Sequence, residues 1–407
     1  MSLTISPPVT LPQYKVKHTS RLSIAGIPLY TFAVSLASVF TVIGIMWDIS
    51  WHTTIGRDAF LSPPHLLIYL GAIFGGLFSG IQVLWNTFAA PAETKKTLVK
   101  IWGFFYSSLG ALFCIWGAVA MLTSAPFDDW WHNAYGLDVV IISPPHSLLG
   151  LGMMFLQFGA CVSISKYLNK VQDVSTDDDY RLRQRKILRI LFVITAASLI
   201  SMLCIFATDY IDRRQQHTAG FYEIATIVLL LFLPAFGREL RLKYGMTLIT
   251  IAYFFIIAIT NWILQLAPAV PKLGPILNPV THLQALQFPL LLFIPAFVMD
   301  VVMYKSKSND WVKAAMLSTI FVLLLLAVQY PFSQFLFTSP LARNWFFGSE
   351  AWYYGASPDW AYRYNYQPNE LTNLPSLLRG LGIAILAGFF ICRLSLRWGN
   401  WLKSIQR

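Results

Sequence analysis

The sequence predicts an all-α fold, a polytopic transmembrane bundle of about ten helices arranged as helical hairpins, and three observations carry that prediction. The first is a shortage of charge. Of 407 residues, 56% are hydrophobic and 12% charged, against about 25% charged in an ordinary soluble domain. The second is that the apolar residues form runs of roughly 20, the length needed to cross a bilayer core, separated by short polar connections. A barrel would instead show alternating strands of about ten residues. The third is a one-sided distribution of Lys and Arg among the connections.

In chain order the runs fall near 25–47, 64–88, 101–123, 145–168, 187–207, 220–236, 245–266, 282–304, 312–336 and 377–397. The polar, Pro-containing stretch 1–24 lacks the pattern of a cleavable leader and is expected to be a cytoplasmic tail before an uncleaved first helix. Residues 25–168 make a four-helix unit with a duplicated motif, and 169–336 add further helices. The segment 337–376 is aromatic, with Trp345, Phe346, Phe347, Trp352, Tyr353, Tyr354, Trp360, Tyr362, Tyr364 and Tyr366. Two readings suit it, an interfacial layer lying on the bilayer or a lid over a substrate opening. The last helix and a short tail occupy 377–407.

Alternate connections are rich in Lys and Arg: Lys15, Lys17 and Arg21; Lys95, Lys96 and Lys100; Lys170, Arg181, Arg183, Arg185 and Lys186; Arg238, Arg241 and Lys243; Lys305 and Lys307; Lys403 and Arg407. The intervening ones hold only Arg57, Arg213, Arg214, Lys272, Arg343 and Arg363. The positive-inside rule then places both termini in the cytoplasm and the poor connections outside a cell (inner, plasma) membrane. The net charge of +11 follows from this topology, so the basicity does not point to nucleic acid. Cys114, Cys161, Cys204 and Cys392 all lie in apolar runs without CxxC spacing, which argues against a disulfide framework or thiolate metal site.

Two segments on the Lys/Arg-poor side align. Asp48, Trp51, His52, Gly56, Asp58 and Ser62-Pro63-Pro64-His65 are matched by Asp128, Trp131, His132, Gly136, Asp138 and Ser143-Pro144-Pro145-His146, with one extra residue in the second copy. Asp and His four residues apart share a helix face. Ser-Pro-Pro starts the returning helix, with Ser suited to the N-cap and Pro to the first turn. Each hairpin thereby offers one carboxylate and two imidazoles to a single ion, a set that suits copper, zinc or non-haem iron. The metal candidates are Asp48, His52, His65, Asp128, His132 and His146. Asp58 and Asp138 are candidates for orienting an imidazole through its second nitrogen. Ionisable groups at membrane depth are costly and tend to be functional, which favours metal binding; the bland alternative is a buried polar network or proton relay. Asp209, Asp212, His217, Glu223 and His282 form weaker echoes in later hairpins, and His18 is read as incidental.

The spacing resembles that of the C subunit of the copper membrane monooxygenases, which oxidise methane, ammonia or short hydrocarbons. That subunit carries an Asp-x3-His-x12-His copper site, matched by Asp48, His52 and His65. A neighbouring Asn-x3-His-x13-His site is matched by Asp128, His132 and His146, with Asp128 where the family has Asn. The likeness covers roughly residues 25–168, and the family subunit has fewer helices. It implies copper, with iron or zinc as alternatives, and Asp128 adds charge that favours a harder ion such as iron. It also implies a monooxygenase-like oxidoreductase acting on a small or lipophilic substrate at the outer face. The family works with a partner subunit bearing soluble copper-binding domains. No polar run here is long enough for one, so partner subunits or a redox carrier are expected. Two other functions compete: a protein that binds or transports copper, and a membrane zinc hydrolase with Asp58 or Asp138 as general base.

Overall fold

The structure, a computed structural model, describes residues 23–56, 59–136, 143–172, 178–349 and 352–406. The long helices are α1 (Leu29–Thr54), α2 (Pro63–Phe88), α3 (Leu109–Tyr135), α4 (Pro144–Gln172), α5 (Asp179–Phe206), α6 (Ala219–Leu240), α7 (Gly245–Leu264), α8 (Phe293–Lys305), α9 (Asp310–Thr338) and α10 (Leu374–Ser404). Among the described residues, nine helices are long and apolar enough to cross a membrane, all of these except α8. Strands are confined to two small antiparallel pairs, Ser23–Ile24 with Ile27–Pro28 and Val99–Ile101 with Phe105–Ser107.

The outward surface is that of a body solvated by lipid. On α2 the exposed side chains Leu66, Leu70, Ile73, Leu77, Ile81, Leu84 and Phe88 recur every three or four residues, the period of one helical stripe. A stripe this apolar facing outward has no partner in water but is at home in a bilayer.

Helix contacts are made through small residues. A Cβ on Gly117 would lie 2.6 Å from the carbonyl oxygen of Gly152, and one on Gly110 would lie 2.6 Å from that of Gly159. Both glycine pairs repeat at seven-residue spacing, two helical turns, so the α3 and α4 backbones touch along one seam. Close backbone approach is the main source of helix association where lipid removes the hydrophobic drive. The α1–α2 and α3–α4 hairpins pack side by side through α2 and α3. The C-terminal ends of α1 and α3 therefore lie at the same end of the bundle, called here the motif end.

One apolar run does not form the helix expected of it. Of 282–304, only Phe293–Lys305 is helical, about 20 Å of helix against a core of about 30 Å. Residues 268–292 run in extended or irregular form. Pro279 and Pro289 disfavour helix at the residues before them, and other helices supply the hydrogen bonds the segment lacks. Asn261 of α7 donates to the Gln287 carbonyl (2.8 Å) and accepts from the Leu286 amide (3.1 Å). The Tyr253 hydroxyl accepts from the Leu290 amide (3.1 Å), and Gln329 of α9 accepts from the Leu291 amide (3.1 Å). Non-helical backbone at membrane depth persists only where protein satisfies it in this way.

The segment after α9 folds back over the motif end. Short 3-10 turns at Pro340–Ala342 and Pro368–Glu370 bracket it. The Tyr354 carbonyl accepts from the Leu277 and Asn278 amides, and Arg214 joins it through Glu370 (3.1 Å) and the Tyr362 carbonyl (2.7 Å). The aromatic residues thus belong to a hydrogen-bonded cap that also packs on the irregular 268–292 strand.

Candidate functional site

The repeated motif has a local structural logic at each position. Asp48 and His52 lie on the last two turns of α1, and Asp128 and His132 on the corresponding turns of α3. The motif glycine ends each helix: Gly56 has φ +84° and Gly136 φ +90°, a region that L side chains avoid. The Gly136 amide still bonds the His132 carbonyl at 3.0 Å, so the chain leaves the helix one residue beyond its last turn. A Cβ on Gly56 would also run into the Tyr354 hydroxyl of the cap. Ser62 and Ser143 precede helices that begin Pro-Pro-His. The Ser143 hydroxyl accepts from the His146 amide at 3.4 Å, whereas Ser62 occupies the N-cap without a side-chain cap bond.

These turns bring the three distant residues of each copy together. In the first hairpin, His65 Nε2 stands 3.1 Å from Asp48 Oδ1 and His52 Nε2 3.9 Å from Asp48 Oδ2. In the second, His132 Nε2 is 3.6 Å and His146 Nε2 3.5 Å from the same Asp128 Oδ1. The carboxylates are mostly buried, Asp48 at 15% and Asp128 at 25% side-chain exposure, while His52 is the outermost member at 40%. All four imidazoles present Nε2 to a carboxylate.

The first site is braced from behind. Ser50 and Thr54 sit two residues on from Asp48 and His52, roughly 200° around the helix at 100° per residue. The Ser50 hydroxyl donates to the Gln284 carbonyl (2.6 Å) and the Thr54 hydroxyl accepts from the Gln284 amide (2.9 Å). The Lys272 amide bonds the Ile55 carbonyl (2.9 Å). The irregular strand therefore holds the end of α1 by its back while the acid–imidazole face points away. The second site instead has an aromatic fence: Trp131 lies against Tyr135 with ring centroids 4.5 Å apart, and Phe127 and Trp130 stack beside them.

Donors on a four-coordinate ion with bonds of about 2.0–2.1 Å stand roughly 3.3–3.4 Å apart. The separations of 3.1, 3.5, 3.6 and 3.9 Å bracket that value. As they stand, no group of three or more His, Cys, Asp or Glu side chains among the described residues is closed into a metal cage; the outer imidazole of the first copy is the furthest from closure. Asp48 Oδ1, Asp128 Oδ1 and His132 Nε2 are buried and make no hydrogen bond among the described residues. Buried polar atoms are almost always hydrogen-bonded. Two arrangements of the same atoms satisfy this chemistry, shared coordination of a cation or a carboxylate–imidazole proton relay. By residue type, one carboxylate and two imidazoles suit a divalent transition ion, which Asp48, His52 and His65, or Asp128, His132 and His146, would hold.

The other candidates are scattered. Asp58 and Asp138 lie outside the described residues. Asp212 caps its own turn, accepting from the Arg214 and Gln215 amides at 2.7 and 3.0 Å; burial raises its carboxyl above the ordinary range against these bonds. His217 is buried between two tyrosine rings, with centroids 3.7 Å from Tyr330 and 4.5 Å from Tyr366, and its Nε2 meets the Tyr330 carbonyl at 3.0 Å. A carbonyl only accepts, so this nitrogen carries the proton. Desolvation holds the imidazole below its ordinary value. Asp209 is exposed. Glu223 faces Gly380 of α10. His282 is exposed and bonds Thr281 through Nδ1 (3.0 Å). The four cysteines are buried free thiols.

Sequence reasoning did not find the brace formed by Ser50, Thr54 and Gln284. Its members are more than two hundred residues apart, and two are ordinary hydroxyl residues inside a helix. Comparison of the chain with protein-family models, with characterised proteins and with solved structures finds no match, so nothing in those comparisons ties it to the copper monooxygenases, and its function is argued from residues and geometry alone.

Proposed function

We propose that the chain is a membrane metalloprotein with two Asp-His-His sites at one membrane face, acting as a metal-dependent oxidoreductase of the copper-monooxygenase type. One observation carries the reading. Two independent hairpins, 80 residues apart in sequence, each place two imidazole Nε2 atoms within 4 Å of one half-buried carboxylate. A single such cluster is an unremarkable polar contact. The same cluster built twice from the same motif, glycine turn included, is a repeated binding device.

Asp48, His52 and His65 would hold one ion and Asp128, His132 and His146 the other. Copper is the first expectation, with iron or zinc as alternatives. Bound there, such an ion would supply one-electron and oxygen chemistry that no side chain provides. The protein's own work is to orient the imidazoles, limit water around the carboxylates and fix the end of α1 through Ser50 and Thr54. Asp58 and Asp138, two residues beyond each motif glycine, are the candidates for holding an imidazole's second nitrogen. The substrate class is small or lipophilic, reaching the motif end from the bilayer or the outer face. Reductant comes from a redox carrier or partner subunits.

A second reading, uptake or transport of the same ion, is favoured by one feature, the broken crossing formed by 268–292 and α8. Discontinuous helices of this kind line binding sites in transporters. The two readings separate on one experiment. Protein isolated from native membranes is analysed for metal, examined by electron paramagnetic resonance, and assayed for oxygen-dependent turnover of short hydrocarbons with a chemical reductant. Oxygen consumption coupled to product supports the enzyme. Bound metal that exchanges across a liposome membrane without turnover supports transport, and protein that holds no stoichiometric metal removes both.

A further inference from the structure

The irregular strand and the aromatic cap enclose a cleft of about 340 Å³ at the motif end, within the range of small-ligand sites. Its walls include Gln265, His282, Gln284, Trp345, Trp352 and Arg363. Three of these side chains bring a buried donor that finds no acceptor among the described residues: Gln284 Nε2, Trp352 Nε1 and Arg363 Nε. Gln284 is only 7% exposed, so its amide cannot simply turn to solvent. Leaving a buried donor unmet costs about 1–3 kcal/mol, more for a charged one. Three in one cleft is a pattern, and among the described residues all three lack the same thing, an acceptor.

The rest of the wall says what sort of acceptor. Arg363 brings a guanidinium, and the described lining residues include no carboxylate. The guanidinium lies over two rings, 5.3 Å from the Trp352 centroid and 5.2 Å from that of Tyr364, with a long contact from Nη1 to the Pro358 carbonyl (3.4 Å). Its Nε is buried and meets no acceptor among the described residues. Trp345 and Trp352 supply flat apolar walls. An oriented guanidinium edge recognises a planar oxyanion, and indole faces suit a planar body.

We propose that this cleft binds a small planar organic carboxylate, its oxygens accepting from Arg363 Nε, Trp352 Nε1 and Gln284 Nε2 and its ring lying against the two tryptophans. Gln284 couples the cleft to the first Asp-His-His site, because its backbone is the clamp on Ser50 and Thr54. The cleft does not depend on the metal reading, and its test reads binding alone.

The test uses the full chain in lipid nanodiscs and isothermal titration with benzoate, phenylacetate and the neutral isostere benzamide. The proposal expects saturable one-to-one binding of at least one carboxylate, with benzamide about tenfold or more weaker, as loss of a charge-assisted bond implies. Arg363→Gln is expected to remove the preference for carboxylate over amide. Trp352→Phe keeps the ring, loses the donor and is expected to weaken the carboxylate several-fold. Arg363→Lys retains part of the preference, and because the readout is carboxylate binding rather than metal content, failure here is distinguishable from failure of the metal sites. Variants are compared at matched thermal unfolding. Absence of binding by both carboxylates, or equal carboxylate affinity in wild type, Arg363→Gln and Trp352→Phe, overturns the proposal.

Discussion

Gly136 and Gly56 show how a residue without a side chain can fix a site made of side chains. Each terminates its helix at a φ that other residues avoid, just beyond the Asp and His of its copy. A Cβ on Gly136 would meet nothing within 4 Å, so Gly136→Ala isolates the backbone effect. It is expected to cost about 1–3 kcal/mol of stability, read from chemical unfolding in detergent, and to loosen the second site while sparing the first. His217 makes a different residue-scale prediction. Burial holds its imidazole below the ordinary value of 6.5, so the unfolded chain takes up that proton more readily than the folded one. Its contribution to stability is therefore complete above pH 6.5 and declines as pH falls through 6.5 toward the lower folded value. Wild type should lose more stability than His217→Gln between pH 7.5 and 5; equal losses would place the titrating group elsewhere. At this scale the sequence was informative where spacing repeats. The Asp-x3-His pairs, the Pro-Pro-His starts and the glycines were all readable, because periodicity and helix-end chemistry are local. The tyrosine sandwich around His217 was not, since Tyr330 and Tyr366 come from other elements.

The elements show where local reading stops. Among the described residues, nine long helices follow from runs of about 20 apolar residues, and several of their starts from Ser, Thr, Asp or Asn caps. The run 282–304 predicts a tenth span but forms only the short helix α8 (Phe293–Lys305). Pro289 inside the run disfavours helix before it, but the hydrogen bonds that hold the non-helical backbone come from Asn261, Tyr253 and Gln329 on other helices. Asn261→Leu is expected to leave the Leu286 amide and the Gln287 carbonyl unmet, at about 1–3 kcal/mol for each. The measurement is the unfolding midpoint in detergent, and a neutral outcome would mean that the strand is held by other contacts. The α3–α4 seam gives the converse case. Gly117→Val forces apart backbones that touch at Gly152 and should destabilise by about 1–3 kcal/mol or more, whereas the same change at Gly80, where a Cβ meets nothing within 4 Å, is expected to be tolerated.

At the scale of the whole molecule, polar chemistry is split between the two ends: an Arg238–Asp310 ion pair with Asn400 beside it at one, and the motif end at the other. Both Asp-His-His clusters, the Arg214–Glu370 pair, the cap and the cleft lie there, while the lipid-facing stripes are apolar. The Lys/Arg bias of the loops makes this the outer end by expectation. The four natural cysteines are buried, which gives a quiet background for labelling with a membrane-impermeant maleimide. Lys272→Cys is predicted to react on intact cells and Lys96→Cys only after permeabilisation; the reverse would invert the topology. The central claim, however, is that each hairpin holds its own ion. It is tested most directly by counting metal per chain, by elemental analysis, in wild type, His52→Ala and His132→Ala purified under identical conditions. The account predicts about two ions in the wild type and about one in each variant, with distinct paramagnetic signals surviving in the two. Equal metal content in all three proteins would contradict it.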